Sequence, residues 1–297
     1  MRILSGRPAE NFVRRLEQRG ATDLARVEKK VKLIVDDVRK NGDRALRGYA
    51  EKFDGLRPRQ PFRVAASELE LAWEASSAEF KQALKSAAEN IRRYCEWQKP
   101  HEWRHSAADG IQVGQVVRPL RSVGCYVPGG RYPLPSTMLM TVIPAQVAGV
   151  EEIRVASPRP ARETLATAFF LGMRELYRIG GAQAIAALAY GTKSVPRVDK
   201  VVGPGNLFVT EAKKQVAFDC GIDFLAGPTE VVIVANGASR NSLLPTWWRK
   251  LNMILMRWRC LLLHPANSLT PCSRPRRLQQ KITKLPEHPS KAMALCW

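Results

Sequence analysis

GCYVPGG (124–130), LYRIGGAQ (176–183) and VDKVVGPGN (198–206) share one pattern. In each, a short apolar run ends in a glycine-rich turn, and the second and third turns lead directly into a helical stretch. Working outward, the same rhythm continues in both directions. Ser122–Val127 reads as a strand, Thr137–Val147 as a helix, and Glu152–Ala156 as a strand ending in Ser157-Pro158. Ala161–Glu175 is helical, a short run reaches Ile179, and Ala182–Ala189 is helical again. Val198–Val202 is the next strand, Asn206–Ala217 the next helix, and Val231–Ala235 a last strand. Strands that are apolar throughout, joined through helices, predict a parallel sheet covered on both faces. Ligands of such sheets bind at the carboxyl ends of the strands, where these turns lie.

The residues before this region read as helices. Val27, Val31, Ile34, Val35 and Val38 recur at helical spacing within 8–53, and Asn41-Gly42-Asp43 breaks the run. Ser67–Trp97 is a second amphipathic region, with Leu69, Leu71, Phe80, Leu84 and Ile91 on its apolar side. His101 and His105 follow, beside Trp97 and Trp103, in what reads as a polar surface linker.

Three turns carry candidate chemistry. Tyr126 stands where the backbone of 124–130 can approach a ligand closely. Gln183 and Asn206 each stand at a helix start, where free N–H groups favour phosphate. Glycine and proline at a strand end usually only make the turn, so each signal gains its weight from the other two. There is no G-x-G-x-x-G fingerprint, no P-loop and no His or Cys ligand cluster. The six cysteines (95, 125, 220, 260, 272, 296) form no C-x-x-C pair and read as reduced thiols. No apolar run reaches the ~20 residues of a membrane span, and no signal-peptide pattern opens the chain, so a cytoplasmic protein is expected.

Composition breaks near residue 240. All 20 glycines lie at or before Gly237. Residues 241–297 hold no aspartate, one acidic residue (Glu287), ten Lys/Arg and four of the seven tryptophans. The formal net charge of +20 is therefore concentrated there, nearly half in a fifth of the chain. A basic, Trp-bearing tail raises single-stranded nucleic acid as a partner. The bland readings are a poorly folded extension or a stretch translated in the wrong frame.

Taken together, GCYVPGG (124–130), GGAQAIAALAYGT (180–192), VDKVVGPGN (198–206), VTEAKKQV (209–216) and AGPTEVVIVA (226–235) resemble histidinol dehydrogenases. DDVRKNGDRAL (36–46) and KFDG (52–55) fit as well, so the resemblance covers about residues 1–240. It implies a zinc-dependent homodimer of incomplete Rossmann-like domains that oxidises L-histidinol to L-histidine through the aldehyde with two NAD. By motif, Tyr126, Gln183 and Asn206 match the NAD-contacting positions. Thr229 stands where the family has a substrate-contacting serine, and retains a hydroxyl. The resemblance divides the chain into an N-terminal helical part of a first, incomplete domain (1–121), a Rossmann-like NAD-contacting domain (122–228), a return strand to the first domain (229–240) and an aberrant tail (241–297).

The family continues with a helix reading A-D-L-x-x-Q-A-E-H-x-P, whose Gln and His bind zinc and substrate, and then with a Glu-His acid/base pair and further zinc ligands. None stands in 241–297, so no catalytic and no metal-binding residue is assigned. The genetic code suggests why. When the third base of each codon is joined to the first two of the next, Trp247-Trp248 forces Val and Met253-Ile254 forces Asp. Asn252-Met253 then allows only Tyr or His. Permitted codons from Asn241 to Cys260 spell FIAADLVAQAEHDPDAVAL, the missing segment. The tail is thus expected to be family coding sequence read out of frame, in a C-terminally truncated chain without turnover. The alternative is a non-catalytic nucleotide- or RNA-binding protein that uses its basic tail. The frame reading argues against nucleic acid as a partner.

Overall fold

The computed structural model describes residues 24–129 and 133–225, four strands outside them (2–4, 231–234, 260–263, 293–296), and helical residues 7, 11 and 14. The chain divides into two compact units, Asp23–Ala226 and Met1–Thr22 with Gly227–Trp297. The described strands are β1 (Arg2–Leu4), β2 (Trp103–Ala108), β3 (Ile111–Gln115), β4 (Ser122–Tyr126), β5 (Glu152–Ala156), β6 (Glu175–Tyr177), β7 (Lys200–Val202), β8 (Gly221–Ile222), β9 (Val231–Val234), β10 (Cys260–Leu263) and β11 (Met293–Cys296). The described helices are α1 (Ala25–Asn41), α2 (Asp43–Tyr49), α3 (Ala66–Glu74), α4 (Ala78–Gln98), α5 (Pro135–Val147), α6 (Arg162–Phe170), α7 (Gly181–Tyr190) and α8 (Leu207–Val216). A π-helical turn, Ala50–Asp54, follows α2.

The central unit is built on a five-stranded sheet in the order β6-β5-β4-β7-β8, parallel throughout. Tyr126 pairs with Ala156 across β4 and β5, and Cys125 with Val202 across β4 and β7. Alternate residues of each strand serve opposite faces, and both faces are covered. Val123, Cys125, Val155 and Leu176 join one core with Leu69, Leu84, Met138 and Ile143. Tyr126, Ala156, Tyr177 and Val201 join the other with Val31, Val38, Ile185, Leu188 and Val209. A doubly covered sheet demands apolar strands, which explains why these runs show no alternation.

Helix α1 buries Val27, Val31, Val35 and Val38 and ends where Gly42 takes a positive φ. Ser77 caps α4 by accepting from Phe80 N at 3.2 Å. Between Ala182 and Ala189 every residue of α7 is buried, because α1, α8 and the sheet all close on it. Its alanines allow that approach; a Cβ on Gly124 would stand 3.0 Å from Leu188 Cδ1.

Several sequence expectations shift. The helix expected over Ala161–Glu175 stops at Phe170, and Glu175 opens β6 instead. The amphipathic region Ser67–Trp97 is two helices, broken before the Ser77 cap. The expected linker around His105 is the antiparallel hairpin β2–β3, exposed along both strands. The helices between 25 and 98 share their cores with the sheet inside one unit, Asp23–Ala226.

In the other unit, the described strands form a sheet in the order β1-β11-β10-β9. Strand β10 is parallel to β9, and β11 is antiparallel to both β10 and β1. Two strands thus lie in the tail, where no strand period was read. Each is a four-residue run, CLLL and MALC, too short and too uniformly apolar to show one. The rest of 241–297 lies outside the described residues.

Candidate dinucleotide site at the sheet edge

Numbered along the sheet by chain order, the strands run third, second, first, fourth, fifth, so the order reverses between β4 and β7. Open α/β sheets bind ligands in the crevice at such a point, outside the carboxyl ends of the strands. Tyr126 ends β4 on one side of the reversal, and Gly203–Asn206 follows β7 on the other.

The turns meet by close backbone approach. A Cβ on Gly203 (φ +117°) would stand 2.2 Å from Tyr126 O, so only glycine lets this turn lie against β4. Farther along the edge, Cβ atoms on Gly129 and Gly180 would come within 2.6 Å of Pro158 O and 2.5 Å of Pro158 Cβ. The turns after β4, β5 and β6 are thus stacked on one another.

Tyr126 is buried, and its hydroxyl accepts from Gly181 N at 3.1 Å. Burial pushes its pKa up to about 12, aided by the nearby Asp54 carboxylate and only partly offset by the Gly181 bond. It is a neutral phenol at physiological pH. Gln183 is buried too, and its Nε2 donates to Asp54 Oδ2 at 3.0 Å. The same oxygen accepts from Gly180 N at 2.9 Å. Burial raises the Asp54 pKa above the ordinary carboxylate value, against the pull of these two bonds and of Arg159. Asn206 is exposed and caps α8, its Oδ1 accepting from Phe208 N (3.0 Å) and Val209 N (3.1 Å). Its Nδ2 has no hydrogen-bond partner among the described residues.

The Gly203 turn is held from behind. Gly203 N donates to Asp223 Oδ2 at 2.8 Å, its carbonyl accepts from Lys213 Nζ at 3.1 Å, and Lys213 pairs with Asp223. Lys213 is buried, so the ion pair closes over the turn and away from solvent.

Tyr126 and Gln183 are therefore brought together around Gly180-Gly181, and Asn206 sits on the turn pressed against the Tyr126 backbone. Thr229 lies outside the described residues. The expected free N–H groups at the helix starts are in part already used: Asp54 and Tyr126 take those of Gly180 and Gly181, and Asn206 takes two of α8. Phosphate capture by these particular groups does not fit, because an internal acceptor already occupies each. Sequence reasoning missed Asp54, Lys213 and Asp223 as partners of the site, although KFDG and VTEAKKQV were among the recognised stretches.

Zinc does not fit the described residues, which contain no group of three or more His, Cys, Asp or Glu able to hold a metal ion. His101 and His105 are exposed at the hairpin. A cavity of about 580 Å³ lined by Arg57, Arg63, Glu68 and Arg178 involves none of Tyr126, Gln183 and Asn206. No described helix is long and apolar enough to cross a membrane.

Comparison with known proteins agrees with the turns. The family model for histidinol dehydrogenase matches residues 17–244. The chain belongs to the histidinol dehydrogenase family. It is 47% identical over 227 residues to the histidinol dehydrogenase of Methanothermobacter thermautotrophicus, covering 74% of this chain and 53% of the relative. It is 48% identical over 233 residues to that of Photobacterium profundum, covering 77% and 52%. The crystal structure of histidinol dehydrogenase from Elizabethkingia anophelis superposes with a TM-score of 0.69 at 33% identity, covering 77% of this chain and 53% of that one. The chain spans about half the length of the curated relatives it matches. The family match stops at residue 244, close to the break in composition.

Proposed function

We propose that this chain carries the NAD-contacting part of a histidinol dehydrogenase and binds the dinucleotide weakly, without turning over histidinol. The observation that carries the reading is the junction at the sheet reversal, where Tyr126, Gln183 and Asn206 cluster on close-packed glycine turns. Bound there, NAD would supply the hydride acceptor for an alcohol or aldehyde. The chain's own residues bind and orient. Tyr126, un-ionised and buried, holds the start of α7; Asn206 offers Nδ2 as a donor; Gln183 offers an amide oxygen.

The zinc-binding Gln and His and the Glu-His acid/base pair of the family have no counterpart at 241–297. We read that tail as family coding sequence translated out of frame. Without the zinc-binding Gln and His in 241–260, nothing in that stretch would orient the alcohol for hydride loss, so no turnover by these residues is expected. A histidinol-dependent NADH signal above background would overturn this, and one tightly bound zinc per purified chain would overturn the frame reading. Titration with NAD should show weak binding that Asn206→Ala weakens further. An affinity unaffected by that substitution would remove Asn206 from the site.

A further inference from the structure

Asp54 is only 6% exposed, and among the described residues no ion pair neutralises it. A buried carboxylate is costly unless its hydrogen bonds compensate. Both donors to its Oδ2 belong to a single turn: the backbone N–H of Gly180 and the side-chain amide of Gln183. The amide of a glutamine has two ends of nearly equal size, one a donor and one an acceptor. A carboxylate only accepts, so Asp54 admits the Nε2 end and repels the Oε1 end. The choice follows from charge. Oε1 is left above Gly181, where a Cβ would come within 2.7 Å of it, and it receives no hydrogen bond among the described residues.

We propose that Asp54 is a positioning residue: its carboxylate fixes the Gln183 amide so that Oε1, an acceptor, is the end offered to a hydrogen-bond donor of the dinucleotide. The inference rests on the NAD reading above and adds to it the sign of the contact. Asp54 touches no ligand itself. It acts from the far side of Gln183, from a π-helical turn 129 residues away in sequence.

The test is a double-mutant cycle read by NAD affinity in the full chain. Asp54→Leu should weaken NAD about 10-fold, and Asp54→Asn, which keeps an acceptor oxygen in place, only about 3-fold. In a Gln183→Met background the Asp54→Leu effect should shrink to less than about 2-fold, because the group it positions is gone. Fully additive losses would overturn the proposal, since a role in folding alone would add. Should Asp54→Leu not fold, the same cycle is run with Asp54→Asn. If Gln183→Met leaves NAD affinity unchanged, the NAD reading of Gln183 fails, and the brace is decided separately. The side-chain amide protons of Gln183, followed by NMR without nucleotide, should exchange slowly in the wild type and at least about 10-fold faster in Asp54→Leu. Unchanged exchange would overturn the brace, whatever NAD does.

Discussion

Tyr126 joins its side chain to one turn and its backbone to another, and burial keeps its hydroxyl un-ionised. It is one of several groups whose acidity burial suppresses. Cys125 is pushed up to about 12, Cys220 to about 11 and Tyr177 to about 12, burial being the main cause in each. For all four, the folded pKa lies above the unfolded one. The folded state therefore binds more protons than the unfolded state once the unfolded chain begins to ionise. Their contribution is intact below about pH 8.5, the ordinary thiol value, and is lost as pH rises toward the folded values. Urea unfolding between pH 7 and 11 should show a flat midpoint that falls on the alkaline side. Tyr126→Phe should lower stability at pH 7 by about 1 kcal/mol, because it strips the half-buried Gly181 N–H of its acceptor. A midpoint that rises with pH above 9 would contradict this account.

The turns were the most legible elements, and the reason is steric. A glycine forced by a neighbour's backbone announces itself in sequence, while the neighbour does not. GPG at 203–205 was readable as a turn; that its first glycine is jammed against Tyr126 O was not, because β7 and β4 are far apart in the chain. Asp54, Lys213 and Asp223 were invisible for the same reason: each looks like an ordinary helix or loop charge until the fold brings its partner across. The hairpin β2–β3 was missed differently. Asp109-Gly110, with Gly110 at φ +77°, is a hairpin turn signal, but beside it only Ile111 and Val113 alternate with polar residues, over a stretch too short to stand out. The steric claim is open to test by two glycines. Gly203→Ala faces both a positive φ and a backbone oxygen at 2.2 Å, and should cost about 3 kcal/mol or more. Gly172→Ala faces a positive φ (+70°) with nothing within 4 Å, and should cost about 1 kcal/mol. Equal losses in denaturant unfolding would mean that the contact with Tyr126 does not hold the turn.

Residues 241–297 differ from the rest of the chain in charge as well as in composition. Their ten Lys/Arg against one acidic residue supply nine of the twenty excess positive charges. Charge of this kind binds any polyanion, releases counterions and fades steeply with salt. A selected nucleic-acid module would add stacking or base readout that survives salt. An out-of-frame peptide has had no selection for either, nor for burial of Trp247, Trp248 and the LNMILM run at 251–256. Apolar side chains arranged without a helical or strand period promote association between chains. Ending the chain at residue 240 removes β10 and β11, but leaves intact the unit Asp23–Ala226 with both of its cores. The shortened chain is therefore expected to be more soluble, to unfold cooperatively, and to keep whatever NAD affinity the full chain has. RNA binding by the full chain should be indifferent to sequence and should fall by at least about 10-fold between 50 and 200 mM salt. In the shortened chain it should be weaker at every salt concentration. Salt-tolerant binding to one RNA sequence, lost on shortening, would instead make the tail a working module and refute the frame reading.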